Sequence, residues 1–187
     1  MTRAPNNTTC TSFALQAFDC FQHDSDHLKQ LQATFLHILA GQAKGPIAGG
    51  AGAAAAKLLH QAWETAGVDE CRRLFSQLQK VPPAGGDMYK AMLALEKQQP
   101  GAQASNDLPP ASKRRRTTSS PEALQTQRVR ALYEAALAAY GATDHLLWVD
   151  FALWQAPTGA GEVYWRATKA LDDPQAFVEQ YRQQLGV

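Results

Sequence analysis

The stretch Val129-Arg130-Ala131-Leu132-Tyr133-Glu134-Ala135-Ala136-Leu137-Ala138-Ala139-Tyr140-Gly141 decides the fold class of this chain. Val129, Leu132, Tyr133, Ala136, Leu137 and Tyr140 fall at i, i+3, i+4, i+7, i+8 and i+11. That is one broad apolar face of an α-helix, with Gly141 as its expected stop. The same rhythm continues downstream. Asp144 opens a helix carrying Leu147, Trp148, Phe151 and Trp154. Pro157 and Gly159 interrupt it, Val163, Tyr164, Ala167, Ala170 and Leu171 form the next face, and Asp173-Pro174 starts a last helix with Phe177, Tyr181 and Leu185.

Upstream the reading is also helical. A helix at about 53–66 carries Leu58, Leu59 and Trp63 and stops at Gly67. Asp69 is placed to cap the next, with Leu74, Phe75 and Leu78, and Asp87 to open another running to about Gln98. Near the start, Phe13, Ala17, Phe18 and Phe21 share one helical face, and Leu28, Leu31, Phe35 and Leu39 another. The polar break His23-Asp24-Ser25-Asp26 separates them. No segment alternates with a period of two, so no sheet is expected. The expected organisation is a helical region at 1–44, a Gly/Ala linker at 45–52 and helical repeats at 53–98. A disordered insertion rich in Pro, Ser and basic residues follows at 99–121, and helical repeats return at 122–187.

Composition agrees. Among 187 residues there are 33 Ala and 18 Gln, and apolar residues make up 45%, enough for a core and tilted toward helix. Lys plus Arg number 18 against 17 Asp plus Glu, so bulk charge names no partner. No apolar run approaches the roughly 18 residues of a membrane span, and the polar start is not that of a secretory signal. Cys10, Cys20 and Cys71 are odd in number and scattered, which suits a reducing compartment rather than a disulfide framework.

Three segments align without gaps: Cys71-Arg72-Arg73-Leu74-Phe75, Val129-Arg130-Ala131-Leu132-Tyr133 and Ala160-Gly161-Glu162-Val163-Tyr164. Tyr89, Met92 and Glu96 are spaced i, i+3, i+7, and Trp148, Phe151 and Gln155 repeat that spacing. Once the insertion is removed, the intervals between segments approach thirty-odd residues, the period of a two-helix solenoid repeat. The pattern resembles the half-a-tetratricopeptide (HAT) repeat more than the tetratricopeptide itself. The carboxyl-terminal run sharpens the likeness: Leu132-Tyr133-Glu134-Ala135-Ala136-Leu137, Leu147-Trp148-Val149-Asp150-Phe151 and Tyr164-Trp165-Arg166-Ala167, then Phe177, Val178 and Tyr181. It resembles the carboxyl-terminal part of the U three small nucleolar RNA-associated protein six family, HAT-repeat subunits of the UTP-B complex of the small-subunit processome. The resemblance covers about 71–187 less the insertion and is faint before Cys71. The family's amino-terminal region has no counterpart in it, as expected of a carboxyl-terminal fragment, of a truncated gene model or of a chain from a broader HAT family. Gln155 and Gly161 stand where the family pattern has Glu and Arg, so the last repeat is expected to be degenerate.

The resemblance implies an all-α HAT/TPR-like helical-hairpin solenoid with a disordered middle insertion. It also implies a non-enzymatic scaffold of nucleolar ribosome biogenesis (pre-rRNA processing, maturation of 18S rRNA), located in the nucleus and nucleolus. Partners would be protein subunits of the UTP-B type, with U three small nucleolar RNA and pre-rRNA contacted indirectly, no membrane and no cofactor. The residues matching the repeat motif are Arg72, Leu74, Phe75, Tyr89, Met92, Glu96, Arg130, Leu132, Tyr133, Trp148, Phe151, Tyr164, Trp165 and Arg166. HAT scaffolds of splicing or pre-mRNA cleavage, and a generic TPR-like adaptor, are the competing readings.

Each residue class has a plainer reading beside the functional one. Tyr89, Trp148 and Phe151 can stack on RNA bases, but their spacing aims them at a neighbouring helix. Glu96 is expected to make a structural hydrogen bond or ion pair, with Arg72 as a candidate partner, because no second carboxylate is placed to work with it. Cys20, His23 and His27 have a spacing able to supply three zinc ligands, yet no CxxC pair accompanies them and the histidines suit a helix cap better, so no metal is expected. Gly49-Gly50-Ala51-Gly52 lacks the Lys-Ser/Thr ending of a phosphate loop. Lys113, Arg114, Arg115 and Arg116 form a nuclear-import run or a solvated charge run, and Thr117, Thr118 and Ser120 beside it can accept phosphate. From Arg128 to Val187 five basic residues face seven acidic ones, a net −2 that disfavours direct RNA binding there.

Overall fold

A computed structural model of the chain describes residues 51–80, 85–99, 120–156 and 159–186, with positions 30, 33 and 34. The amino-terminal helices expected near 11–41, the Cys20/His23/His27 set, positions 45–50 of the linker and 100–119 of the insertion lie outside the described residues. Among the described residues the regular structure is helical throughout, as the periodicity required. The helices are α1 (Ala51–Ala66), α2 (Val68–Leu78), α3 (Gly86–Lys97), α4 (Pro121–Tyr140), α5 (His145–Gln155), α6 (Ala160–Ala170) and α7 (Pro174–Leu185). They divide into two compact units, the boundary falling inside α3 between Leu95 and Glu96.

In the first unit α1 and α2 form a hairpin. Ala55, Leu58, Leu59 and Ala62 of α1 and Cys71, Leu74 and Leu78 of α2 are all buried. The turn between them is a single residue, Gly67, whose φ of 83° lies in the left-handed region that side chains disfavour. Its placement corrects the expected cap: Gly67 is the N-cap of α2, and Asp69 lies within the first turn, where it pairs with Arg72 at 3.5 Å. Sequence reasoning favoured Asp because its side chain can satisfy a free N–H, but the tight turn puts the helix start two residues earlier. Met88, Met92, Leu93 and Leu95 of α3 are buried as well. The Cys71 thiol donates to the Leu59 carbonyl at 3.5 Å and meets the Met92 sulfur at 3.7 Å, and Phe75 meets Tyr89 edge-on at 5.5 Å.

The Gly/Ala linker expected at 45–52 extends too far by two residues. Ala51 and Gly52 already belong to α1, and Gly52 is buried. Glycine there serves close approach rather than flexibility: a Cβ on Gly85 would stand 3.2 Å from the Gly52 Cα.

In the second unit α5 is the central element, packing against α4, α6 and α7, while α6 and α7 pair with each other. Its sequence, His145 to Gln155, has only two charged or ionisable side chains, and Leu147, Trp148, Val149, Phe151 and Ala152 are buried. A helix apolar on several sides must be covered on several sides. Three helices here start on capping side chains. Ser120 accepts from the Ala123 N–H, Asp144 from Leu147 and Asp173 from Gln175, with Pro at the first turn of α4 and α7. Gly141 ends α4 as expected, though in right-handed geometry. The Asp172 N–H donates to the Ala142 carbonyl at 2.9 Å, tying the α6–α7 connection to the end of α4.

Candidate functional site

Two side-chain groups of the second unit gather Tyr133 and Phe151, and Trp148, Trp165 and Arg166, from the singled-out residues. The first is built on Tyr133, fully buried at the middle of α4. Its ring stacks on Phe151 at 4.5 Å and lies 5.6 Å from Trp154. Its hydroxyl donates to an Asp150 carboxylate oxygen at 2.6 Å. Lys97, on the last turn of α3, donates to both Asp150 oxygens at 2.9 and 2.8 Å, and its ammonium stands 5.0 Å from the Tyr133 ring centroid. Burial, then the adjacent Asp150 charge, push the phenol far above its ordinary range, so Tyr133 stays a protonated donor. The geometry is that of a structural clasp in which one carboxylate joins α3, α4 and α5.

The second group lies along α4 and α6. Arg166 pairs in a fork with Glu134, at 2.8 and 2.6 Å. Its guanidinium lies 5.7 Å from the Trp148 ring, and the Trp148 indole N–H donates to the Gly141 carbonyl at 2.8 Å. The Arg166 hydrogen bonds hold the Glu134 carboxyl below its ordinary value against the opposing effect of partial burial. Beside this pair opens a groove of about 440 Å³, to which Trp165 and Lys169 also contribute. Trp165 is 64% exposed.

The remaining sequence-predicted residues distribute as follows. Leu74, Phe75 and Met92 are buried in the first unit, with Tyr89 half-buried beside them. Leu132 and Tyr164 are half-buried, Tyr164 packing on Phe177 and Tyr181 at 5.3 and 5.6 Å. Arg130 donates to the Gln155 side-chain oxygen at 3.1 Å. Glu96 is buried and accepts from the Gln125 side-chain amide at 2.8 Å, while the same amide reaches the Glu96 main-chain oxygen at 2.6 Å. Gln125 escaped the sequence reading altogether. It is a polar residue on the early, otherwise exposed turns of α4, and 29 positions separate it from its partner. Lys113, Arg114, Arg115 and Arg116 lie outside the described residues.

Among the described residues no group of three or more His, Cys, Asp or Glu gathers in metal-binding reach, and no helix is long and apolar enough to cross a membrane. In the second unit two ion pairs, Lys97–Asp150 and Glu134–Arg166, have partners from different helices. Such pairs fix helices against each other, and the arrangement is that of an all-α helical-hairpin protein.

The comparisons with known proteins agree with this class. The chain is 27% identical over 133 residues to the human U3 small nucleolar RNA-associated protein 6 homolog, a match taking in 67% of this chain and 19% of that protein. It is 26% identical over 126 residues to the mouse protein of the same name, covering 64% of this chain and 17% of the relative. The chain thus matches under a fifth of the length of these relatives. No family profile matches it. The resemblance read from the carboxyl-terminal motifs is therefore borne out: the chain is similar to U3 small nucleolar RNA-associated protein 6.

Proposed function

We propose that this chain is a non-enzymatic scaffold in nucleolar ribosome biogenesis, holding protein subunits of the small-subunit processome together. The observation that carries the reading is the likeness, over about two thirds of the chain, to two proteins named for association with U3 small nucleolar RNA. An all-helical hairpin architecture supports it, since stacked hairpins present extended surfaces without needing a reacting centre. In this reading the second unit is built from HAT-type helices, with α5–α6 as a pair, Tyr133 and Phe151 as packing aromatics, and Glu96 and Gln155 as polar ties.

The partners would be UTP-B-type proteins. With a net −2 from Arg128 to Val187, small nucleolar RNA and pre-rRNA are reached through those proteins. Lys113 to Arg116 would serve nuclear import, and replacing the four by Ala would then abolish nuclear accumulation. The function is tested by depleting the gene product and measuring ribosomal and messenger RNA precursors on RNA blots. Loss of 18S rRNA with accumulation of its precursors supports the reading. Unspliced or uncleaved messenger precursors with normal 18S rRNA would assign the chain to the splicing or cleavage branch of HAT proteins.

A further inference from the structure

The Trp165–Lys169 groove has features that neither the core nor the Glu134–Arg166 pair requires. Trp165 leaves about two thirds of its surface in water, although α6 buries Val163 and Ala167 on its other side. A tryptophan so placed contributes little to folding and exposes a large apolar surface. Leu137 and Trp148 add apolar lining to the groove, whose volume is about 440 Å³. Glu134, Arg166 and Lys169 are the charged residues of its lining. Glu134 is satisfied bidentately by Arg166. Glu162, one turn before Arg166, adds its charge to that same pair. Lys169, also in the lining, is exposed and makes no hydrogen bond or ion pair with any described residue. The groove therefore offers an apolar trough beside a cation that has no partner among the described residues.

We infer that this groove docks a segment of a partner protein that inserts an apolar side chain between Trp165 and Leu137 and sets an Asp or Glu carboxylate against Lys169. Trp165 is the anchor, because aromatic residues in desolvated pockets carry a disproportionate share of interface energy. The Lys169 contact supplies selectivity and steering more than affinity. Nucleic acid fits less well: the Glu134 carboxylate is part of the lining a phosphate would approach, and Lys169 alone among the charged lining residues lacks a partner among the described residues, which makes no track for a backbone. The inference rests on the scaffold reading only for the partner being a protein.

The test is to pan a random dodecapeptide display library against the purified full chain and to titrate the enriched peptides, by tryptophan fluorescence for the parent chain and by isothermal titration calorimetry for the parent and its variants alike. Enriched peptides should pair an apolar side chain with a carboxylate within a few positions. Trp165→Ala should weaken them about tenfold or more, the usual cost of removing an aromatic anchor. Lys169→Glu should weaken them too, and exchanging the peptide carboxylate for Lys should restore binding to that variant. Circular dichroism melting curves matching the parent chain keep both variants interpretable. Enrichment of basic or uncharged peptides, binding indifferent to Trp165→Ala, no enrichment at all, or quenching by a uridine 20-mer in place of peptide would each overturn the inference. Because the panning uses no extract, its failure leaves the scaffold reading standing, and RNA blots showing normal 18S rRNA would sink that reading whatever the peptides do.

Discussion

Tyr133 shows how much a single repeat position can carry. Its ring fills the space between α4 and α5 against Phe151, and its hydroxyl supports Asp150 where Lys97 arrives. Tyr133→Phe should keep the packing and lose one charge-assisted hydrogen bond, lowering stability by about 1.5–3 kcal/mol at most, because Asp150 is half exposed and water can replace the donor. Tyr133→Ala should cost about 3–5 kcal/mol, the range for deleting a buried aromatic. Urea titrations of the three proteins check both. Glu134 makes a pH prediction. Its folded-state carboxyl is held below its ordinary 4.5 by the Arg166 hydrogen bonds. A depressed value stabilises the fold above the unfolded pKa and loses that stabilisation as pH falls through the folded one. The gap in melting temperature between the parent chain and Glu134→Gln should therefore be full at neutral pH and close as pH drops below 4.5. A constant gap down to pH 3 would show that the pair contributes through packing alone.

The helices differ in how openly the sequence announces them. Asp144 and Asp173 were legible as starts because a cap is a local device: the side chain bonds an N–H two or three residues on, and both residues do so here. Asp144→Ala should cost about 1 kcal/mol in the second unit, measured as a lowered thermal midpoint, with Asp144→Asn recovering most of it. Asp69 misled for the converse reason, since a one-residue glycine turn already set where α2 begins. Gly52 misled because small residues look like a linker until the backbone they admit is known. In the described helices the apolar stripes were legible for the most part, since period marks the buried face, although Ala170 and Leu185 of the expected faces are exposed. Gln125 was not, because a polar residue gains its meaning only from a partner brought in by the tertiary fold. Removing it should expose that dependence: Gln125→Ala strips a donor from the buried Glu96 and should destabilise the unit by about 1–3 kcal/mol.

At the scale of the whole molecule, the described residues are helical units, and in the second of them the Lys97–Asp150 and Glu134–Arg166 ion pairs and the Glu96–Gln125 contact join different helices. The class was readable from periodicity, and the likeness to U3 small nucleolar RNA-associated protein 6 from the runs around Tyr133, Phe151 and Tyr164. The groove was not readable, for although Trp165 and Arg166 were visible as a motif, only the fold shows that one faces outward and the other is tied to Glu134. The most direct test of the scaffold claim is to purify the tagged chain from nuclear extract and identify its companions before and after ribonuclease. The account predicts processome proteins together with U3 small nucleolar RNA, the proteins remaining after the RNA is digested. Proteins released by ribonuclease, or spliceosomal RNAs in place of U3, would contradict it.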